Sequence, residues 1–460
     1  MAELRDKARL YEETGVIPVL DAQVCVLKGD NLVSADLKSR LQKAVEVLED
    51  VPEEQKDWHP GSNKQVLDLV HPSLYPLMYG RSRILPDKTI GVKDCLGSIG
   101  GGVIIPRPSF ASRDDDDEEH SHEREIRKKK KSLWSTRFQW LPCNVSFPDG
   151  KNAQIDSYIN NLHPTDHADL YKVIEELITV VTPLWNVVYQ CSRDGPLPLT
   201  PRIKCTEITY TPHPYETNPP ADDGTGYMDS AQWYADLEAG RKYHLPEPRP
   251  YTRSPFTPAH FRTILPLLSA SPSSTLQVIV KLCTIHLTPS NPTYAGGTWH
   301  IEGQLNEHIV ASALYYHTTH NTTPSSLSFR AGISDTDLSA VSYAHHALQP
   351  NGGIGAVFGF GNFAPAVQAL GAVHTREDRV LVFPNALQHR VEPFELADRT
   401  KRGCRGFVAL FLVAPTVPVV STANVPPQQR EWWVREVRDG GSRVGRLPVE
   451  LVELVAEGVE

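Results

Sequence analysis

The stretch Gly296-Gly297-Thr298-Trp299-His300-Ile301-Glu302-Gly303 lies between two runs rich in β-branched and aromatic residues, 275–282 and 309–316. Alternate residues of an extended segment point to one side, so His300 and Glu302 can converge on one point while Ile301 turns away. Some 90 residues later, Phe383-Pro384-Asn385-Ala386-Leu387-Gln388-His389-Arg390-Val391 runs from a strand-like segment through a Pro-Asn turn and delivers a third candidate ligand, His389. Two neutral imidazoles and one carboxylate on one face of an ion suit Fe(II), and they leave positions open for a co-substrate and dioxygen.

Working outward, 355–360, 379–383 and 406–413 repeat the strand-like composition, separated by turn residues and without a long intervening helix. That pattern predicts an α+β protein. Its C-terminal half is expected to be a barrel or a jelly roll (double-stranded β-helix) rather than a doubly wound sheet, and its N-terminal region mostly helix and loop. Residues 36–50 carry Leu37, Leu41, Ala44, Val45 and Leu48 at helical spacing behind a capping Ser34 or Asp36. Residues 166–181 read as a buried helix capped by Asp166, and Pro426-Pro427 introduce a helix through 428–434. The Pro-, Gly- and Tyr-rich stretch 211–256 reads as a long loop. Residues 113–131 pass from an acidic to a basic block, as solvated loops do. The histidines there, His120 and His122, are read as incidental because closing a loop on an ion costs chain entropy. The expected organisation is 1–112 helical and loop, 113–131 charged loop, 132–270 helix and loop covering the barrel, 271–420 jelly-roll core, and 421–460 helical extension.

The chain has 460 residues and a formal charge of -9, which disfavours nucleic acid as a partner and favours a small-molecule substrate. Seven scattered cysteines without a Cys-X-X-Cys pair fit a reducing compartment. With no apolar run of about 18 residues and no apolar leader, the expectation is a cytoplasmic protein without a membrane partner. His308, His317, His345 and His346 are read as structural.

The segments 299–311, 383–385 and 388–391, together with 138–143 and 157–164, resemble a fungal family of large, mostly uncharacterised proteins. The C-terminal half of that family resembles the Fe(II)/2-oxoglutarate-dependent dioxygenases, and the likeness spans about residues 130 to 435. The resemblance implies Fe(II) at His300, Glu302 and His389, with 2-oxoglutarate and O2 as co-substrates. It also implies oxidation of an unactivated C–H bond of a small metabolite, amino-acid-like and of secondary metabolism, by hydroxylation, desaturation or cyclisation. A basic residue after the second histidine then grips the co-substrate carboxylate. Arg405, opening a strand, is preferred for this over Arg399 in a polar turn, because Arg pairs bidentately with carboxylates and a strand end is a rigid mount. Arg330 is the candidate for a substrate carboxylate, and Phe358 and Phe360 for a pocket wall. Two departures stand out: Glu302 replaces the more usual Asp, and Cys404 falls where relatives carry a polar residue. The rival readings are a cupin-type iron oxygenase without 2-oxoglutarate and a non-catalytic metal-binding jelly roll.

Overall fold

The computed structural model describes the chain apart from residues 22–23, 109–132, 192–198, 200–201, 222–223, 225–230, 253–255, 334–337, 340, 342–352, 362–363, 440–447, 449–450 and 452–460. The charged segment 113–131, with His120 and His122, therefore lies outside the described residues, as do His345 and His346.

In chain order, the elements that position the site are α1 (Ala2–Thr14), β1 (Val16–Val19), β2 (Val26–Asp30), α2 (Ala35–Glu49), β3 (Asp57–Trp58), β4 (Val66–Val70) and α3 (Ala168–Gln190). They continue with β5 (Leu276–Leu287), β6 (Ile309–His320), β7 (Ser325–Gly332), β8 (Val367–Thr375), β9 (Arg379–Pro384), β10 (Gln388–Val391) and β11 (Gly403–Val413). A large antiparallel sheet runs β1-β2-β9-β6-β11-β5-β4-β3, and a smaller one runs β8-β7-β10.

The central strands of the large sheet, β5, β6, β9 and β11, are buried on both faces, which is why they read as continuous apolar runs rather than alternations. In β11, Val408, Leu410 and Leu412 face the helices α2 and α3, while Ala409 and Phe411 face the small sheet and pack with Leu327, Phe329 and Val373. The result is three layers: helices, large sheet, small sheet.

Helix α2 forms as its pattern predicts. It buries Leu37, Leu41 and Val45, and the Ser34 hydroxyl accepts the Leu37 N–H at 3.1 Å, a cap worth about 1 kcal/mol. Helix α3 differs from expectation at both ends. Asp166 does not cap it; its carboxylate is paired with Arg435, and the helix begins after His167 without a side-chain cap. It also continues through Pro183 to Gln190. An internal proline costs about 3 kcal/mol or more, but the turns beyond it bury Trp185, Val187 and Val188, and tertiary burial outweighs that cost.

Two further expectations are corrected. The N-terminal 112 residues are not a mainly helical appendage: β1–β2 extend one edge of the large sheet and β3–β4 the other. Residues 355–360 are not a strand either. Gly353–Phe358 is a short helix, and Phe358 and Phe360 pack with Ile208, Val341 and Ile354. Periodicity over so few apolar residues does not separate the two conformations. Within 211–256 the expected loop carries the helix Ala231–Gly240. Among the described residues no helix is long and apolar enough to cross a membrane.

Candidate metal centre

His300, Glu302 and His389 meet. Gly296 and Gly297 bring the first two residues alongside β10: the Gly297 N–H donates to the Val391 carbonyl at 2.9 Å. Gly296 has φ +92°, and a Cβ there would lie 2.8 Å from that same carbonyl oxygen, so only glycine fits this approach. His300 and His389 then exchange both backbone hydrogen bonds, at 3.2 and 2.9 Å. Their rings stand 4.4 Å apart.

The side chains finish the convergence. Nε2 of His300 is 3.6 Å from Glu302 Oε1, and Nε2 of His389 is 3.4 Å from the same oxygen. Nδ1 of His300 lies 2.8 Å from the Thr298 carbonyl, and Nδ1 of His389 lies 3.5 Å from the Leu387 carbonyl. Each ring thus has a backbone acceptor for an Nδ1 proton, which leaves Nε2 with a lone pair aimed at the shared point. The His389 ring packs edge-on to Phe383, 4.9 Å between centroids, and its side chain is 4% exposed, against 45% for His300. The cluster therefore has one fixed, buried wall and one solvent-facing side.

Asn385 is a positioning residue whose role the sequence did not disclose. Its Oδ1 accepts the Glu302 N–H at 2.9 Å, and its Nδ2 donates to the Glu302 and Ile309 carbonyls at 2.9 and 3.1 Å. The turn that delivers His389 thereby fixes the backbone of Glu302 as well. The signal was present in Phe383-Pro384-Asn385, but nothing local says what the amide reaches.

Burial opposes ionisation of Glu302, yet contact with His300 and His389 outweighs it and holds the carboxyl well below the usual carboxylate range. The same contact raises His300. The cluster is an anionic oxygen flanked by two imidazole nitrogens, the donor set that borderline divalent ions take.

It opens on a cavity of about 1310 Å³ between the two sheets, walled by Tyr316, Phe407 and Phe411 on one side and Leu327 and Val391 on the other. Lys281 also lines it, from β5, and was not singled out in the sequence. Of the other expected site residues, Arg405 is 3% exposed and lies beside the cavity rather than in its lining. Its guanidinium sits 4.9 Å from the Phe394 ring centre and 5.8 Å from that of Tyr316. Nη2 donates to the Thr375 carbonyl and hydroxyl at 3.1 and 2.6 Å, whereas Nη1 is buried without a partner.

Arg399, Arg330 and the two phenylalanines are not brought to the cavity. Arg399 is 65% exposed and paired with Glu395, as a polar-turn residue is free to be. Arg330 shares the opposite face of β7 from Phe329; its Nε donates to Gln388 at 2.6 Å and its guanidinium stacks on Trp299 at 4.6 Å. Phe358 and Phe360 belong to the separate apolar cluster described above.

Fold and cluster define a class: a mixed helix and antiparallel-sheet protein with a histidine–carboxylate–histidine centre in an inter-sheet cavity. The chain belongs to the DUF4246 family, described as proteins of unknown function, which it matches over residues 1–436. No curated protein matches it. Among solved structures it is similar to the Fe(II)/(alpha)ketoglutarate-dependent dioxygenase TqaL, at 13% identity over 34% of this chain and 48% of that one, TM-score 0.20. It is also similar to a bsmA homologue from Methylobium petroleophilum PM1, at 12% identity over 39% and 60% of the two chains, TM-score 0.19. A third is IDO from Bacillus thuringiensis, at 11% identity over 45% and 89%, TM-score 0.20. The chain covers about half the length of the first of these structures.

Proposed function

We propose that this protein is a non-haem iron oxygenase that uses 2-oxoglutarate and dioxygen to oxidise a small metabolite, and that its two packed sheets form a double-stranded β-helix. The observation that supports this most strongly is the pair of Nε2 atoms facing Glu302 Oε1, each ring with a backbone acceptor at Nδ1. The three donors fit Fe(II), binding one face of the ion and leaving the other for exchangeable ligands. When bound, Fe(II) with its co-substrates supplies the oxidising power needed to break an unactivated C–H bond.

The chain's own residues do the rest. Asn385 and the His300–His389 backbone pair keep the donors from drifting, since a loosely held ligand set costs metal affinity. Tyr316, Phe407 and Phe411 present an apolar wall that excludes water from the reacting carbon. Arg405 takes the distal carboxylate of 2-oxoglutarate through its unpartnered Nη1, because a buried guanidinium donor left without an acceptor is costly. Lys281, an ammonium on the cavity wall, takes an anionic group of the substrate, an amino-acid-like carboxylate. Whether the product is hydroxylated, desaturated or cyclised follows from where the substrate carbon is held.

The test is anaerobic addition of Fe(II) and then 2-oxoglutarate to the full chain. A visible charge-transfer band that is lost in His389→Ala and weakened in Arg405→Met is expected. Stoichiometric iron with no band on adding 2-oxoglutarate refutes the co-substrate assignment. The position of Arg405 outside the cavity lining favours one second reading, in which the substrate chelates the iron directly, as in cupin-type oxygenases. Turnover without succinate release identifies that case.

A further inference from the structure

We infer that the cavity carries a second divalent-metal site, formed by His59, Asp68 and His71 of the N-terminal hairpin. One nitrogen from each of the two rings and one Asp68 oxygen lie within 4.8 Å of one another. His59 Nδ1 is 2.7 Å from Asp68 Oδ2, His71 Nε2 is 4.0 Å from that oxygen, and the two rings are 5.4 Å apart. His59 and His71 line the same cavity as His300, Glu302 and His389.

The hairpin makes this arrangement rigid. The His59 N–H donates to the Val66 carbonyl at 2.8 Å, so the pairing of β3 with β4 fixes the first histidine over the strand that carries Asp68. β4 pairs in turn with β5, with Asp68 opposite Cys283. Cross-strand partners share a face, and Cys283 lines the cavity, so Asp68 is aimed the same way. Just past β4, the His71 carbonyl accepts the Asn161 amide at 2.8 Å.

An independent observation points to a ligand. The Asp68 side chain is 3% exposed, and its Oδ1 is buried with no hydrogen-bond partner. A carboxylate oxygen shut away from water without a donor is destabilising unless a cation reaches it. His59 satisfies only Oδ2. A metal ion seated between the two rings and held by both oxygens of the Asp68 carboxylate would compensate Oδ1 as well as Oδ2 and use both imidazoles. In the metal-free arrangement His71 Nδ1 accepts the Ser73 N–H at 3.2 Å, so binding through Nε2 exchanges that one long hydrogen bond for a coordinate bond. Two imidazoles and a carboxylate select a borderline ion such as Zn(II) or Fe(II) over Ca(II) or Mg(II). An ion there shares the cavity with the triad and offers a second Lewis-acidic anchor for an anionic ligand.

The inference stands on the hairpin and does not require the oxygenase reading. It is tested on the full chain, stripped with a chelator and titrated anaerobically with Co(II) as the spectroscopic probe. Binding of two equivalents is expected, with one lost in Asp68→Asn and in the more exposed His59→Gln, and the other lost in His389→Ala. A single equivalent that vanishes in His389→Ala and persists unchanged in both hairpin variants overturns the second site. A single equivalent lost only in the hairpin variants upholds it and instead overturns the triad. Circular dichroism melts of each variant separate loss of a ligand from loss of the fold.

Discussion

The cavity's two histidine–carboxylate clusters are built in opposite ways. In the triad, two ligands lie two residues apart and the third comes from the distant strand β10, yet the backbone of all three is tied together through the His300–His389 hydrogen bonds and Asn385. In the hairpin cluster all three residues lie within thirteen positions of one another, but only strand pairing against β5 carries them to the cavity. The first is long in sequence and local in its bonding. The second is short in sequence and depends on the sheet around it. Proximity in a chain is thus a poor guide to which groups are held rigidly, because rigidity comes from the hydrogen bonds and packing that surround them.

The largest expected effect that separates the two is ligand deletion. His389→Ala should weaken iron binding more than about 100-fold, beyond what outer partners contribute, while His71→Ala leaves the triad's iron affinity within a few-fold. Anaerobic Fe(II) titration reads both, and equal losses in the two variants would mean the clusters act as one unit.

Next comes the backbone tie. Asn385→Ala removes three hydrogen bonds at once and should weaken triad iron about 10- to 100-fold without touching any donor atom. The same titration decides, and an unchanged affinity would show that the two-residue spacing of His300 and Glu302 suffices without Asn385.

A histidine outside both clusters sharpens the contrast. Burial pushes His317 down to about 4, despite Glu49 and Glu377 nearby. Its folded-state value lies below that of an unfolded histidine, near 6.5. The unfolded chain therefore binds the extra proton between those two values, and stability is full above about pH 6.5 and falls as pH drops toward 4. His317→Leu should flatten that slope by up to roughly 3 kcal/mol, as followed by urea denaturation across the range. An unaltered slope would place the acid sensitivity in the cavity clusters instead.

The smallest effect belongs to Arg399. Paired with Glu395 at an exposed turn, it should change stability by under about 1 kcal/mol when replaced by Ala, and leave 2-oxoglutarate binding within about 2-fold. A larger loss of co-substrate affinity would move the carboxylate clamp away from Arg405.

Much of this was legible in the linear chain where a local rule governs. Helix α2 follows from its apolar spacing and Ser34, and the strands β5, β6, β9 and β11 follow from runs of branched and aromatic residues that are buried on both sides. The short apolar segment 355–360 reads as a strand but lies largely in the helix Gly353–Phe358, because helix and strand both bury such a run and contact with Ile208 and its neighbours decides between them. Helix α3 runs past Pro183 because burial of Trp185 outweighs a local breaker.

The candidate site divides along the same line. By itself the sequence determined that His300 and Glu302 share a side, because an extended backbone alternates its side chains, and it pointed to His389 as their partner. Only the tertiary structure decided that Asn385 holds Glu302 and that Lys281 faces the same space. It also decided that Arg330 turns outward and that an N-terminal hairpin brings His59 and His71 to the same cavity with the buried Asp68 beside them. Each of those depends on strand order and register across hundreds of residues, which no local spacing encodes.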